Sequence, residues 1–334
     1  MSREVLGVDI VYGLAWGDEG KGKVSSCLAR DGNYDFVCRW AGGPNAGHTV
    51  YVDGEKYKTH HIPSGVFFGI PSIIGPGCVV NPKKFFEELN YLDSHGFNTK
   101  LVKISPRAHI ILGSHVNNDK TELASKLGTT GNGIAPCYSA KAGRTGVLAK
   151  DVIPPAFLWD EQLYGNVLCE GAQGMWLDMD WGEYPYVTSS STLPYAACSL
   201  GFPTSKIREV IGVIKAYDTR SGEDPLFPET LFEDPDLAKI GEIGQEFGVT
   251  TGRRRKVNWL NFDLLKRAVK MTGPTQIIVN KVDVLEELGV YKLIEFGKIL
   301  DFSDWNKMSK YISQELVENG VHSIWFSRDP EEIM

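Results

Sequence analysis

The sequence predicts an α/β fold, a single large domain over residues 1–334 with a mostly parallel central sheet flanked by helices and a P-loop-like nucleotide site. Apolar, β-branched runs alternate with helical patterns along most of the chain, as in parallel sheets covered by helices. No internal repeat or Ser/Pro-rich linker interrupts this order. Most glycine-dense segments follow predicted strands directly, where open parallel sheets bind ligands.

Each element has its own local signal. Asn81 and Pro82 favour a helix start, and that helix is predicted to end near Gly96. Asp53 and Gly54, between alternating residues, predict a hairpin. The predicted strands are 8–14, 35–40, VLCEGAQ, VIGVIKAY, QIIVN and HSIWFS, and the other predicted helices are 23–30, VNWLNFDLLKRAV and WNKMSKYISQELVENG.

Composition excludes several classes of protein. The net charge of −7 argues against a general nucleic-acid binder and against binding to anionic membranes. No apolar run approaches the ~18 residues of a membrane span, and the N-terminus lacks a signal-peptide layout. The six cysteines are scattered without a C-x-x-C pair, which indicates reduced, mostly buried thiols in a cytoplasmic protein and no zinc site.

The stretch GLAWGDEGKGKV predicts a phosphate-binding loop. From Gly17 it fits G-x-x-x-x-G-K, after a predicted strand and before a predicted helix. Its glycines let the backbone curl around an anion, Lys21 and Lys23 add positive charge, and the helix adds its dipole. Val24 stands where an ordinary P-loop has the Ser or Thr that holds magnesium, so the loop departs from that class, and Asp18 lies within it.

The tetrapeptide NKVD at the end of the strand TQIIVN predicts a guanine site. Asp283 can accept hydrogen bonds from N1–H and the 2-amino group of guanine, and Lys281 can lie along the base. Adenine lacks this pair of donors and would leave the carboxylate unpaired. Together with a phosphate loop, the motif is better explained by guanine-nucleotide binding than by a polar strand end that has no ligand.

Two further segments carry candidate chemistry. In GGPNAGHTV, small residues leave His48 free to approach a ligand, and the Gly47 carbonyl is open to a cation. A histidine that titrates near neutrality can act as an acid or a hydrogen-bond donor to a phosphate leaving group.

In TTGRRRK the arginines are expected at a turn, and their forked donors suit a small dicarboxylic substrate.

The motifs WGDEGKGK, NAGHT, IPSG, GTTGNGIAP, EGAQG, YPYVTSS, AYDTR and TTGRRRK occur in this order. Together they closely resemble the adenylosuccinate synthetase family, in a compact, archaeal-like short form that is also related to phage 2-aminoadenylosuccinate synthetases. The resemblance implies a GTP-dependent ligase of purine biosynthesis that joins L-aspartate to inosine monophosphate (IMP) and needs Mg²⁺.

The resemblance also implies the catalytic roles. Asp18 would remove N1–H from the hypoxanthine ring and bind magnesium, together with the Gly47 carbonyl. The freed O6 would attack the γ-phosphate of GTP and form 6-phosphoryl-IMP, from which the aspartate amine displaces phosphate. His48 would stabilise the departing β-phosphate, and Lys21 would neutralise charge on the transferring group.

The remaining implied contacts follow motif by motif. Arg144 would reach IMP in the neighbouring subunit of a homodimer. The implied IMP contacts are Asn45, Thr130, Arg144, Gln173, Thr188 and Arg253; those for aspartate are Thr251, Arg253 and Arg255. The implied GTP contacts are Gly17, Glu19, Gly20, Lys21, Gly22, Lys23, Gly47, His48, Thr49, Lys281 and Asp283.

The chain departs from the family pattern at several points, among them Ala15, Pro44, Ser221 and the C-terminal SRDPEEIM. Two alternatives therefore stay open. A phage-type relative would use GMP or dGMP, but such enzymes usually carry Ser in place of the loop Asp, so Asp18 and Asp283 favour IMP and GTP. A guanine-nucleotide switch would have the phosphate loop and NKVD, but Val24 and Asp18 argue against it.

Overall fold

The computed structural model describes residues 4–123, 127–222, 224, 227, 234–248, 252 and 254–333. Its strands, numbered in chain order, are Val5–Gly13 (β1), Phe36–Arg39 (β2), His48–Val52 (β3), Glu55–Thr59 (β4), Ser72–Ile74 (β5), Val79–Val80 (β6), Val102–Ile104 (β7), His109–Ile110 (β8), Gly165–Glu170 (β9), Ile207–Lys215 (β10), Tyr217–Arg220 (β11), Lys256–Asn261 (β12), Gln276–Asn280 (β13), Tyr291–Glu295 (β14), Lys298–Phe302 (β15) and Ser323–Phe326 (β16). Its α-helices are Lys21–Asp31 (α1), Pro82–Ser94 (α2), Gly113–Asn118 (α3), Ile134–Ala142 (α4), Pro235–Ile243 (α5), Phe262–Thr272 (α6), Val282–Leu288 (α7) and Trp305–Glu318 (α8).

The centre of the fold is an eight-stranded sheet in the order β16-β13-β10-β1-β9-β2-β5-β7. All of its strand pairs are parallel, which confirms the predicted architecture. Strand β1 lies between β9 and β10, and eight of its nine residues are buried, as expected for a parallel strand covered on both faces. The carboxyl ends of the strands therefore open at one edge, where the glycine-rich loops lie.

A second sheet, in the order β11-β12-β14-β15, was not predicted. Its strand β12 includes the first five residues of VNWLNFDLLKRAV, so the helix predicted over that whole segment is wrong over those residues. The helix begins only at Phe262, where the Asn261 side chain caps it by accepting a hydrogen bond from Leu264 N at 3.1 Å. The preceding residues pair with β11 instead, and the fully buried Trp259 lies opposite Tyr217.

The local signals read from the sequence are confirmed at two further elements. Helix α2 begins after Asn81, whose side chain accepts a hydrogen bond from Lys84 N at 3.2 Å. Strands β3 and β4 form the hairpin predicted at Asp53 and Gly54. Both residues have positive φ, 52° and 79°, as a tight two-residue hairpin turn requires.

The core is built from the two faces of the large sheet. One buried cluster joins β1, β9, β10 and β13 with helices α6 and α8, and a second surrounds helix α2. All six cysteines are free thiols; five are buried and Cys198 is partly exposed, as the scattered spacing predicted. Among the described residues, no helix has the length and apolar character needed to cross a membrane.

Strand β11 carries a buried carboxyl group, Asp218, which is only 4% exposed. Its Oδ2 accepts a hydrogen bond from Asn261 N at 2.8 Å. Burial raises the pKa of Asp218 to about 7, although this hydrogen bond and Lys215 act in the opposite direction. The ionised form is therefore disfavoured in the folded protein.

Because the pKa of Asp218 is higher in the folded than in the unfolded chain, its contribution to stability is complete below about pH 4. That contribution is lost as pH rises through 7. We predict that Asp218→Asn, which keeps the acceptor for Asn261, raises the free energy of unfolding by up to ~4 kcal/mol at pH 8 and by about 2 kcal/mol at pH 5. Denaturant unfolding at both pH values measures this. The exposed Asp53→Asn serves as a control and should show no such pH-dependent gain; an equal gain for Asp218→Asn at both pH values contradicts the prediction.

Candidate active site

A cavity of about 950 Å³ opens at the carboxyl edge of the large sheet, at the upper end of the range for small-ligand sites. It brings together segments from both ends of the chain. The described residues of the predicted site that line it are Gly17, Asp18, Glu19, Gly20, Lys21, Gly22, Lys23, Asn45, Gly47, His48, Thr49, Thr130, Gln173, Thr188, Arg255, Lys281 and Asp283.

Three predicted residues are not part of this set. Thr251 and Arg253 lie outside the described residues. Arg144 follows helix α4 with φ of 61°, is exposed, and does not line the cavity of its own chain.

The first loop is organised around Glu19, which is 1% exposed. Its Oε1 accepts hydrogen bonds from the backbone N–H groups of Gly17, at 2.8 Å, and Ala15, at 3.3 Å. Its Oε2 pairs with the Lys21 ammonium. A methyl group at Gly13 or Gly174 would lie 2.4–2.5 Å from this carboxylate, so neighbouring glycines make room for it.

Val24, which replaces the usual hydroxyl of a P-loop, is fully buried in the core beneath the loop. Lys23 turns away from the curl of the loop. Its Nζ donates to the backbone oxygen of Asp329 at 2.6 Å and to the hydroxyl of Ser327. Burial lowers the pKa of Lys23 to about 8.

His48 lies at the start of β3, against a buried carboxylate at the end of β9. Its Nδ1 is 2.5 Å from Glu170 Oε1, and Glu170 also accepts hydrogen bonds from Arg39 Nη2, at 2.9 Å, and Ser64 Oγ, at 2.7 Å. His48 and Arg39 hold the pKa of Glu170 well below its usual range, even though burial alone would raise it. The ring nitrogen that faces this ionised carboxylate therefore carries the proton.

The expectation that His48 titrates near neutrality is wrong. Burial, together with the positive charge of Arg39, lowers its pKa to about 4 despite the adjacent Glu170. At neutral pH the ring is uncharged, with Nδ1 protonated and Nε2 carrying a lone pair. Donation to a phosphate from Nε2 requires that His48 take up a proton, which an incoming anion favours.

Asp18 has φ of 60° and is held by side chains that are distant in sequence. Its Oδ2 accepts hydrogen bonds from Arg255 Nε, at 2.9 Å, and from Ser221 Oγ, at 3.1 Å. Arg255 continues to the buried Glu246, at 2.6 Å. The first loop and the segment after TTGR are thus joined by an ion pair between side chains 237 positions apart.

The NKVD segment also lines the cavity. Lys281 has φ of 64° and caps helix α7, and Asp283 lies in the first turn of that helix. The side-chain amide of Asn280 donates to the backbone oxygen of Glu19 at 2.8 Å. This bond fixes the distance between the phosphate loop and the predicted guanine site.

The GTTGNG loop is held by Asp119, which is 2% exposed. Its two oxygens accept hydrogen bonds from Thr129 Oγ1 and from Gly133 N, each at 2.7 Å. Thr130 Oγ1 accepts a bond from Asn132 Nδ2 at 3.0 Å. The loop thereby presents Thr130 to the cavity.

The family model described as adenylosuccinate synthetase matches residues 10–164 and 155–295 of this chain. The chain belongs to the adenylosuccinate synthetase family. The enzyme of that name from Lysinibacillus sphaericus is 37% identical over 342 residues, covering 85% of this chain and 79% of its relative. The one from Desulforapulum autotrophicum is 38% identical over 355 residues, covering 87% and 82%.

Solved structures share the fold. The fully ligated adenylosuccinate synthetase of Plasmodium falciparum is 27% identical, with a TM-score of 0.83 over 97% of this chain and 98% of that one. The succinoaminodeoxyadenylate synthetase of cyanophage S-2L, bound to dGMP and dATP as an energy donor, has a TM-score of 0.75 over 98% and 94% at 18% identity. At that identity the second likeness concerns the fold alone.

Four residues at this site were missed in the sequence: Asp119, Glu170, Glu246 and Asn280. Two of them lie within quoted motifs, since Glu170 opens EGAQG and Asn280 opens NKVD. A glutamate at the end of an apolar strand is a signal that a buried charge has a partner. Neither Asp119 nor Glu246 carries a comparable signal, because neither residue ends an apolar strand.

We predict that Glu170→Gln lowers the free energy of unfolding by about 3 kcal/mol, because it leaves the buried Arg39 without its carboxylate. Ser64→Ala is the matched control. It removes only a neutral donor to the same carboxylate and should cost about 1 kcal/mol. Equal losses in denaturant unfolding would show that the charge of Glu170 is not what stabilises this cluster.

Proposed function

We propose that this chain joins L-aspartate to IMP with cleavage of GTP, giving adenylosuccinate, GDP and phosphate. The observation that supports the proposal is that one cavity is lined by the predicted phosphate loop with its Asp18, by Arg255, and by Asp283, the residue proposed to recognise guanine. Family membership supports the same reaction, a ligase step of purine biosynthesis.

The proposed first step creates a leaving group on the purine. Asp18 takes the proton from N1 of IMP, and the electron pair released into the ring makes O6 nucleophilic. O6 forms a bond to the γ-phosphorus of GTP while the bond from that phosphorus to GDP breaks. The aspartate amine then attacks C6, phosphate leaves with the former O6, and the amine loses a proton.

The positively charged side chains around the cavity can stabilise the negative charge that develops on the phosphates in these steps. Lys21 is proposed to neutralise charge on the transferring phosphoryl group, and His48 to donate to the β-phosphate once it is protonated. Lys23 is bound to the C-terminal segment and lies near enough to Asp283 and Lys281 for their charges to act on it, so its proposed GTP contact lies toward the guanine base. Asp283 and Lys281 are proposed to read the guanine.

The donor set also fits Mg²⁺, which prefers oxygen ligands. The Asp18 side chain is 29% exposed at the cavity, and both of its hydrogen bonds within the described residues end on Oδ2. Oδ1 and the carbonyl of Gly47 are the proposed ligands. When bound, the metal would supply positive charge that offsets the charge of the GTP phosphates.

The remaining contacts belong to the same proposal. Asn45, Thr130, Gln173 and Thr188 line the cavity and are proposed to hold IMP. Arg255, with Thr251 and Arg253, would bind aspartate, and Arg253 would also approach IMP. The exposed Arg144 would reach the neighbouring site of a homodimer.

The proposal is tested by phosphate release from the purified chain with each ligand omitted in turn. We predict turnover only when IMP, aspartate, GTP and Mg²⁺ are all present. Full-rate GTP hydrolysis without IMP or aspartate would instead support a nucleotide switch. Faster aspartate-dependent turnover with GMP or dGMP than with IMP would support the phage-type reaction.

We predict that Asp18→Asn lowers kcat by ~10²–10⁴-fold, because an amide cannot accept the N1 proton. GTP affinity, measured by calorimetry without IMP and without Mg²⁺, should change by less than about threefold, because the amide leaves the phosphate-loop backbone and Asp283 in place. A thermal melt of the variant serves as the folding control. Retained turnover would remove Asp18 from the role of base.

A further inference from the structure

Glu246 is a fully buried carboxylate beside the cavity, and the reaction proposed above gives it no role. Both of its oxygens accept hydrogen bonds from Lys215 Nζ at 2.9 Å. Tyr217 donates to Oε1 at 2.7 Å, and Arg255 Nη1 donates to Oε2 at 2.6 Å. Four hydrogen bonds from three side chains thus end on one carboxylate.

Arg255 connects this carboxylate to the reaction centre. Its Nε donates to Asp18 Oδ2 at 2.9 Å, while its Nη1 is held by Glu246. Ser221 donates to the same oxygen of Asp18. In the described part of the chain, Arg255 Nη2 and Asp18 Oδ1 carry no protein hydrogen bond, so each residue keeps one atom for ligands.

The cluster contains two cations and, with Asp18, two carboxylates, so its formal charges cancel. Lys215 and Arg255 are two buried cations, and Glu246 lies between them. They lower its pKa to about 2, although burial alone would raise it. Without Glu246, Asp18 would be the carboxylate left to balance both cations, because it already acts electrostatically on each of them.

We propose that Glu246 is a positioning residue for the ligation. Its hydrogen bond with Nη1 of Arg255 fixes the plane of the guanidinium group. In that orientation Nε donates a hydrogen bond to one oxygen of Asp18, and Nη2 is left to bind a substrate carboxylate. The inference rests on the proposed function, because it assigns Arg255 to aspartate. Glu246 itself contacts no substrate in this arrangement.

A purely structural role is the rival explanation, and a matched variant separates the two. Asp9 on β1 is also a buried carboxylate, 5% exposed. It accepts hydrogen bonds from Arg208 Nε, at 2.9 Å, and Tyr34, at 2.6 Å, but does not line the cavity. Asp9→Asn therefore disturbs a similar carboxylate, arginine and tyrosine group away from the site.

The experiment measures kcat, three KM values and thermal stability for Glu246→Gln and Asp9→Asn. For Glu246→Gln we expect KM for aspartate to rise at least ~10-fold and kcat to fall by up to ~10²-fold, since misplacement of about 1 Å has effects of this size. KM for IMP and for GTP should stay within about threefold. Asp9→Asn should lose stability with all kinetic constants near wild type; the same result for Glu246→Gln overturns the proposal.

A second variant covers the case in which Glu246→Gln does not fold. The double variant Glu246→Gln with Lys215→Met removes one charge of each sign, so Arg255 is again balanced by Asp18 but lacks its anchor. We expect this variant to fold and to keep the raised KM for aspartate. Recovery of the wild-type KM would show that net charge, and not anchoring, is what Glu246 supplies, and would overturn the proposal.

Different measurements test the proposed function and the positioning role of Glu246. If the wild-type chain releases no phosphate with IMP, aspartate and GTP, the proposed function fails before any variant is tested. If the wild-type chain is active and Glu246→Gln changes all three KM values equally, only the positioning role of Glu246 fails.

Discussion

The constraint on which the site depends is electrostatic: cations gathered for anionic ligands must be held apart and in place before those ligands arrive. Buried glutamates do this at three points. Glu19 holds Lys21, Glu170 holds Arg39 beside His48, and Glu246 holds Lys215 and Arg255. Removing one partner of such a pair leaves an uncompensated buried charge, which is far more costly than losing the pair as a whole.

The same glutamates also shape the backbone. Glu19 occupies the inside of the phosphate loop and accepts two of its N–H groups, so a side chain of the loop itself holds the curl. Asn280 then ties this loop to the strand that leads into NKVD. The proposed phosphate contacts and the proposed guanine contacts are thus parts of one hydrogen-bonded frame, which would be a pre-organised arrangement for a nucleotide.

The proposed reaction requires a change at two groups of the site. His48 is neutral, because burial and Arg39 lower its pKa, and Asp18 is engaged by Arg255 and Ser221. Anionic ligands would act on both in a favourable direction, since a phosphate favours the charged imidazole and a substrate carboxylate competes for the guanidinium. The departure at Ser221 from the family pattern therefore has a structural consequence, an additional donor to Asp18.

The sequence by itself determined the parts whose causes are local: the parallel sheet, the start of α2 at Asn81, the hairpin at Asp53 and the motifs that define the family. Only the tertiary structure decided the second sheet, the pKa of His48, the turn of Lys23 toward the C-terminal segment, and the cluster at Glu246. These depend on burial and on partners far apart in the chain, such as Asn280 and Glu19, 261 positions apart. Strand pairing, desolvation and ion pairing arise from neighbours in space, and residue spacing along a chain does not contain them.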